Sequence, residues 1–336
     1  MMISVVIAVR NEVNHIQDSI QSIFTQEYHE PYEVILVDGM STDGTYEKLT
    51  TLKNQYPFVL LKNEKFNAAA GRNIGITNSK GDIIAFIDGD AIASKDWLQQ
   101  IITTFEKTDA IGVGGPDLLP PNSTTTARMI GYVMTSPFAR GGRFNPSTQH
   151  TAMDEEKYVY HIPTCNLALK REVFNTIGLF DESFVKGQDL ELNYRIVTTG
   201  HKLLYSPKIK VVHHRKQYIK DFSKQIYKWA KAKVAIIKKH GINGFTSHVY
   251  LWPLYAIAGV FLSLAILSLL QLLPIFFYLL ALGALGYLSI IIIESGRLTW
   301  KYREKKLFLY ALALLPILHI SYACGVLVSS IKRKIW

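Results

Sequence analysis

From Tyr250 onward the 336-residue chain turns apolar in three runs, residues 250–270, 272–293 and 307–331. As helices, each run is about long enough to cross a hydrocarbon layer ~30 Å thick. Buried helices of soluble domains carry shorter apolar runs, about 10 to 14 residues, and these three show no polar face. The chain is therefore expected to be integral to a membrane.

The formal charge of +10 sits mostly beside those runs. Between Arg215 and Lys239 lie eight lysines and a single acid, Asp221; Arg297, Lys301, Arg303, Lys305 and Lys306 separate the last two runs. Residues 218–239 interleave lysines with Tyr218, Phe222, Ile226, Trp229 and Ile236, a composition suited to an interfacial helix on anionic lipid. Basic and aromatic mixtures also bind nucleic acid, but the position next to the spans makes membrane lipids the expected partner, and no nucleic acid is expected. The excess of basic residues places both segments, and the domain before them, on the cytoplasmic face of the membrane. Lys332, Arg333 and Lys334 would fall on the other side if 307–331 crosses fully, and Pro316 leaves a kinked or re-entrant segment open. The expected layout is a cytoplasmic domain over 1–215, a basic amphipathic region over 216–245 and a membrane domain over 246–336. Two distant cysteines, Cys165 and Cys324, imply no disulfide framework. Met1 to Val9 is short and lacks a basic start, so it reads as a first strand and not as a cleaved signal.

The first ~120 residues alternate short apolar strands with helical patterns. Strands are expected at Ile3–Val9, Tyr32–Asp38, Phe58–Lys62 and Ile83–Asp88, with helices at Asn14–Phe24, Thr45–Gln55 and Ala69–Ser79. Such βα units predict an α/β fold, a mainly parallel sheet covered by helices, with ligands at the carboxyl ends of the strands. Between Gly112 and His161 the pattern loosens into Gly, Pro, Ser and Thr, including Gly141-Gly142-Arg143, and predicts a long loop that binds something or closes over a site.

The strand at Ile83 runs into Asp88-Gly89-Asp90. Residues i and i+2 of an extended chain point to one side, so both carboxylates can face a single point, which suits Mg²⁺ or Mn²⁺; a surface turn is the alternative. Asp38, also at a strand end, can accept a hydrogen bond from a nucleobase or ribose, or can simply close an Asx-turn over Ser41 to Thr45. Arg72 opens a helix at the same edge, where it can meet a base or phosphate or remain a solvated charge. In Gly187-Gln188-Asp189-Leu190-Glu191 the two acids cannot share a helical face, and a lone Asp there is more often a helix cap.

Taken in order, Val5 to Glu12, Val37 to Thr45, Ala70 to Gly75, Asp88 to Asp90, Thr164 to Ala168 and Gly187 to Asp189 resemble the family 2 inverting glycosyltransferases of GT-A fold. The apolar tail and Met134-Thr135-Ser136-Pro137-Phe138 resemble more narrowly the exopolysaccharide enzymes of succinoglycan type. The resemblance implies a GT-A domain that takes a nucleotide sugar, a UDP- or GDP-sugar, and passes the sugar to a lipid-linked, polyprenyl-type acceptor with Mn²⁺ or Mg²⁺. It implies nucleotide contacts at Ala8, Arg10, Glu12, Asp38, Arg72, Asp88 and Gly89, metal ligands at Asp88 and Asp90, and a catalytic base at Asp189. The family usually shows Glu-Asp where this chain has Gln188-Asp189. Related enzymes often place a further metal ligand where His213-His214 ends a strand, and His214 is the preferred candidate. Gln225-Ile226-Tyr227-Lys228-Trp229 resembles the Gln-x-x-Arg-Trp of processive synthases, but lysine cannot reproduce bidentate guanidinium contacts. A processive synthase, a polyprenyl-phosphate glycosyltransferase and a non-catalytic scaffold are the alternatives.

Overall fold

A computed structural model describes residues 1–140, 153–214, 218–242 and 248–332, and these divide into two compact units. Gly141-Gly142-Arg143, Arg215, Lys216, Arg333 and Lys334 lie outside the described residues.

The first unit (1–122 with 153–214) begins β1 (Ile3–Val9), α1 (Ile16–Phe24), β2 (Tyr32–Asp38), α2 (Thr45–Leu52), β3 (Val59–Lys62), α3 (Ala68–Thr77) and β4 (Ile83–Ile87). It continues as β5 (Ala91–Ala93), α4 (Trp97–Lys107), β6 (Gly112–Gly114) and β7 (Asp117–Leu118). After α5 (Thr125–Met134) and α6 (Pro137–Arg140) of the second unit come β8 (Lys157–Val159), β9 (Asn166–Lys170), α7 (Val173–Ile177), α8 (Gln188–Thr198), β10 (Leu203–Tyr205) and β11 (Val211–His213).

The main sheet has eight strands in the order β3-β2-β1-β4-β9-β6-β10-β8, parallel from β3 through β4, with β9 antiparallel to both its neighbours. β1 is buried on both faces, which explains its unbroken apolar run: Ile3, Val5 and Ile7 enter one core cluster while Val6 enters the other. The register pairs Val9 with Asp38, so the ends of β1 and β2 deliver their loops to one edge. A small sheet, β5-β11-β7, joins residues 91–93 to 211–213 across more than a hundred positions.

The second unit holds α5, α6, α9 (Ile219–His240), α10 (Trp252–Leu269), α11 (Leu273–Tyr302) and α12 (Leu307–Ile331). α10, α11 and α12 are long and apolar enough to cross a membrane. Phe261, Leu262, Leu269, Leu285 and Ile293 on the first two are exposed, a surface suited to lipid. The third run is one continuous helix with Pro316 inside it. α11 extends beyond the expected end at 293, past Glu294, whose carboxylate pairs with Arg297 and accepts from Ser136 Oγ.

The stretch from 112 to 161 departs from the expected loop, because part of it is α5. Met129, Ile130, Val133 and Met134 form one cluster with Phe222 and Ile226 of α9, Leu298 of α11 and Leu307, Leu314 and Leu318 of α12. Thr124 Oγ1 caps α5 by accepting from the Ala127 amide at 3.3 Å. The Gly and Thr content masked a helix whose order comes from its tertiary partners. α9 packs along α12, where a Cβ on Gly325 would stand 2.6 Å from the Tyr227 carbonyl oxygen; Trp229 packs partly buried against the same cluster.

Candidate active site

Asp88 follows the last residue of the fully buried β4, and Asp90 lies two positions on. Gly89 between them is sterically required, since a Cβ there would come within 2.8 Å of Val9 Cγ2. From the small sheet, His213 pairs in register with Ala91 and brings Nε2 to 3.1 Å from Asp90 Oδ1. One ligand atom each from Asp88, Asp90 and His213 lie within 4.8 Å of one another. Burial disfavours a charged His213, but Asp90 and Asp117 outweigh it and hold its pKa above the ordinary value. His214, the candidate named from sequence, stacks on His15 with ring centroids 4.2 Å apart; burial and His15 lower its pKa while Asp90 opposes them.

Arg72 lies within α3 and is buried, with Nη2 at 3.1 Å from Asp88 Oδ1 and its guanidinium over the Phe180 ring at 5.7 Å. α3 reaches the sheet closely because Gly75 faces Val6, whose Cγ1 would be 2.3 Å from an added Cβ. Asn73 then clamps Phe180 through two hydrogen bonds of 2.9 Å between its amide and the Phe180 backbone. Arg72 is thus a fixed cation beside Asp88 and not a solvated surface charge.

Asp189 is the second residue of α8, which Gly187 enters with φ of 77°. His161, buried, puts Nε2 at 3.4 Å from Asp189 Oδ2, and the Asp189 side chain is 22% exposed. Burial raises the Asp189 pKa, but His161 and Arg72 overcome it and lower the value to about 2. Asn193, one turn along α8, donates to the Asp189 carbonyl and bonds both backbone groups of Ile162, so it ties the His161 segment to the helix. Glu191 points inward and pairs with Arg195 at 2.8 Å. Gln188 donates to the Val185 carbonyl at 2.9 Å. His161 carries no motif and is isolated in a loosely patterned stretch, so sequence reasoning passed over it.

Asp38 is buried, and both its oxygens accept from Ser41, from Oγ at 2.6 Å and from the amide at 3.1 Å, closing the Asx-turn. Asp43 and Thr45 bind the backbone of the Arg10 to Val13 loop, with the Glu12 amide donating to Thr45 Oγ1 at 2.8 Å. Arg10 is exposed and lies over the Phe66 ring at 4.9 Å, while Ala8 packs beside Gly71 under α3. Arg72, Asp88, Asp90, His213 and, through the field of Arg72, Asp189 make one group; Arg10, Glu12 and Asp38 line the neighbouring edge.

Two carboxylates and an imidazole form an oxygen-rich donor set that suits Mn²⁺ or Mg²⁺. Cys165 lies buried near Asp117 and His213; burial pushes its thiol up to about 12.

A sheet that gathers acids, a buried arginine and a histidine at the carboxyl ends of its strands places them where open α/β sheets bind their ligands. Residues 4–178, just over half of the chain, match the family model Glycosyl transferase family 2, and the chain belongs to that family. It is 29% identical over 331 residues, 96% of this chain and 94% of the relative, to the dolichyl N-acetyl-alpha-D-glucosaminyl phosphate 3-beta-D-2,3-diacetamido-2,3-dideoxy-beta-D-glucuronosyltransferase of Methanococcus voltae. It is 24% identical over 243 residues, 70% of each chain, to the succinoglycan biosynthesis protein ExoA of Rhizobium meliloti. The mannosyltransferase PcManGT of Pyrobaculum calidifontis, solved with GDP-Man and Mn²⁺, superposes with a TM-score of 0.63 at 18% identity, over 97% of this chain and 86% of that one. The fold is the expected GT-A fold followed by apolar helices.

Proposed function

We propose that this protein is an inverting glycosyltransferase that passes one sugar from a UDP- or GDP-sugar to a lipid-linked acceptor. Its domain over 1–215 would work on the cytoplasmic face, anchored by the apolar helices, with 216–245 lying at the interface. One observation carries the reading: Arg72 lies against Asp88 and lowers the pKa of Asp189, so the acids at the sheet edge and the acid on α8 share one electrostatic site.

Asp88, Asp90 and His213 would hold Mn²⁺ or Mg²⁺, which when bound supplies positive charge against a departing diphosphate. Asp38, Arg10, Glu12 and Ala8 would line the nucleotide, Gly89 would let the chain pass close beneath it, and Arg72 would add a fixed cation near its phosphates. Asp189, held as a carboxylate, takes the proton of the acceptor hydroxyl as that oxygen attacks. A single displacement needs one such base, whereas glycoside hydrolysis pairs two carboxyls about a neutral leaving group. The name of the Methanococcus voltae relative, a dolichyl-phosphate-linked sugar transferase, supports the lipid acceptor.

Incubating membranes that contain the protein with labelled UDP- and GDP-sugars, then extracting lipids, tests the reading. A labelled lipid product is expected from one donor; no product from any would overturn it.

A further inference from the structure

His213 faces two groups of ligands, and only one belongs to the proposed donor site. Its Nε2 is 3.1 Å from Asp90 Oδ1. Its Nδ1 is buried, has no hydrogen-bond partner among the described residues and lies 3.9 Å from Asp117 Oδ2. One ligand atom each from Asp117, Cys165 and His213 lie within 4.8 Å of one another, and both Asp117 and Cys165 are buried. The frame around them is stiff. β7 and β11 pair with Asp117 opposite Val211, and the buried Asn166 amide donates to the Pro116 and Ile209 carbonyls at 3.2 and 2.7 Å.

Thiol, imidazole and carboxylate together are the donor set of a borderline-soft cation, unlike the oxygen-rich set on the other side of the ring. We propose that Asp117, Cys165 and His213 form a site for a thiophilic divalent cation, Zn²⁺ or Cd²⁺, whose filling withdraws His213 from the Asp88–Asp90 pair and inhibits the enzyme. A neutral imidazole carries one lone pair. When it ligates through Nε2, Nδ1 bears the proton and faces Asp117. When it ligates through Nδ1, Nε2 bears the proton and donates to Asp90. As a neutral imidazole, His213 therefore serves one site at a time. Binding forms a metal–sulfur bond and displaces the Cys165 proton to solvent, with no redox change. The inhibitory half rests on the function proposed above; the binding half does not.

The test uses the full chain in detergent, in a Cys324→Ser background that removes the other cysteine, titrated with Cd²⁺ alone while the ultraviolet thiolate-to-cadmium band is followed. A saturable band is expected. Cys165→Ser should abolish it, and Asp117→Asn should weaken binding by about tenfold or more. In transfer assays at saturating Mn²⁺, Cys165→Ser should raise the inhibitory Cd²⁺ concentration by about tenfold or more. No band, or equal inhibition of parent and Cys165→Ser, would overturn the proposal. A band in a protein that transfers no sugar would uphold the cation site while defeating the functional reading.

Discussion

His161 Nε2 lies 3.4 Å from Asp189 Oδ2, so the acid proposed to deprotonate the acceptor is held by a buried histidine from a distant segment. With Arg72 contributing from α3, Asp189 stays ionised although burial works against it.

Asp189→Asn should lower transfer by a factor of about 10² to 10⁴ while nucleotide affinity changes little, because the side chain keeps its size and loses only its basicity. Single-turnover assays paired with calorimetric nucleotide titration check this, and unchanged turnover would remove Asp189 from its role.

His161→Ala should shift the acid limb of the pH–rate profile upward. The Asp189 pKa is depressed from the ordinary 3.8 to about 2, so its stabilising contribution is present above pH 3.8 and is lost as pH falls through about 2. Without His161, burial raises that pKa, and activity fails at a higher pH than in the parent. The same pairing contributes at most about 2 kcal/mol to stability, and acid unfolding should begin at correspondingly higher pH in the variant.

Asp90→Ala and His213→Ala should each weaken Mn²⁺-dependent binding of a nucleoside diphosphate about tenfold or more, while His214→Ala should affect it far less. Equal nucleotide affinity of the parent with Mn²⁺ and with chelator would exclude the ion from this site.

Gly89→Ala drives a Cβ to 2.8 Å from Val9 Cγ2, and relief requires either the β1 end or the Asp88–Asp90 segment to move. A loss of about 1–3 kcal/mol is expected, together with weaker metal binding. Thermal unfolding and the Mn²⁺ titration should change together.

Gly325→Val places side-chain atoms where the Tyr227 carbonyl approaches α12, whereas Gly283 on α11 has open space around it. In detergent, the first substitution should lower the unfolding midpoint and Gly283→Val should not. Matching midpoints would show that α9 does not depend on this close approach.

Local chemistry determined much of this protein. Unbroken Val and Ile runs mark strands buried on both faces, Asp88-Gly89-Asp90 and Asp38 mark the ends of two of them, and three long apolar runs specify helices for a membrane. These signals sit within a few residues of one another, so a linear reading captures them. What only the tertiary structure decided is which side chains meet. Strand pairing between residues 91–93 and 211–213 brings the His213 ring to Asp90. The tie through Asn193 sets His161 against Asp189, and the packing of α5 turns a Gly- and Thr-containing stretch into a helix. Each of these depends on partners far away in the chain, and a one-residue change of register at β11 would exchange the two histidines while leaving every local pattern in the sequence unaltered.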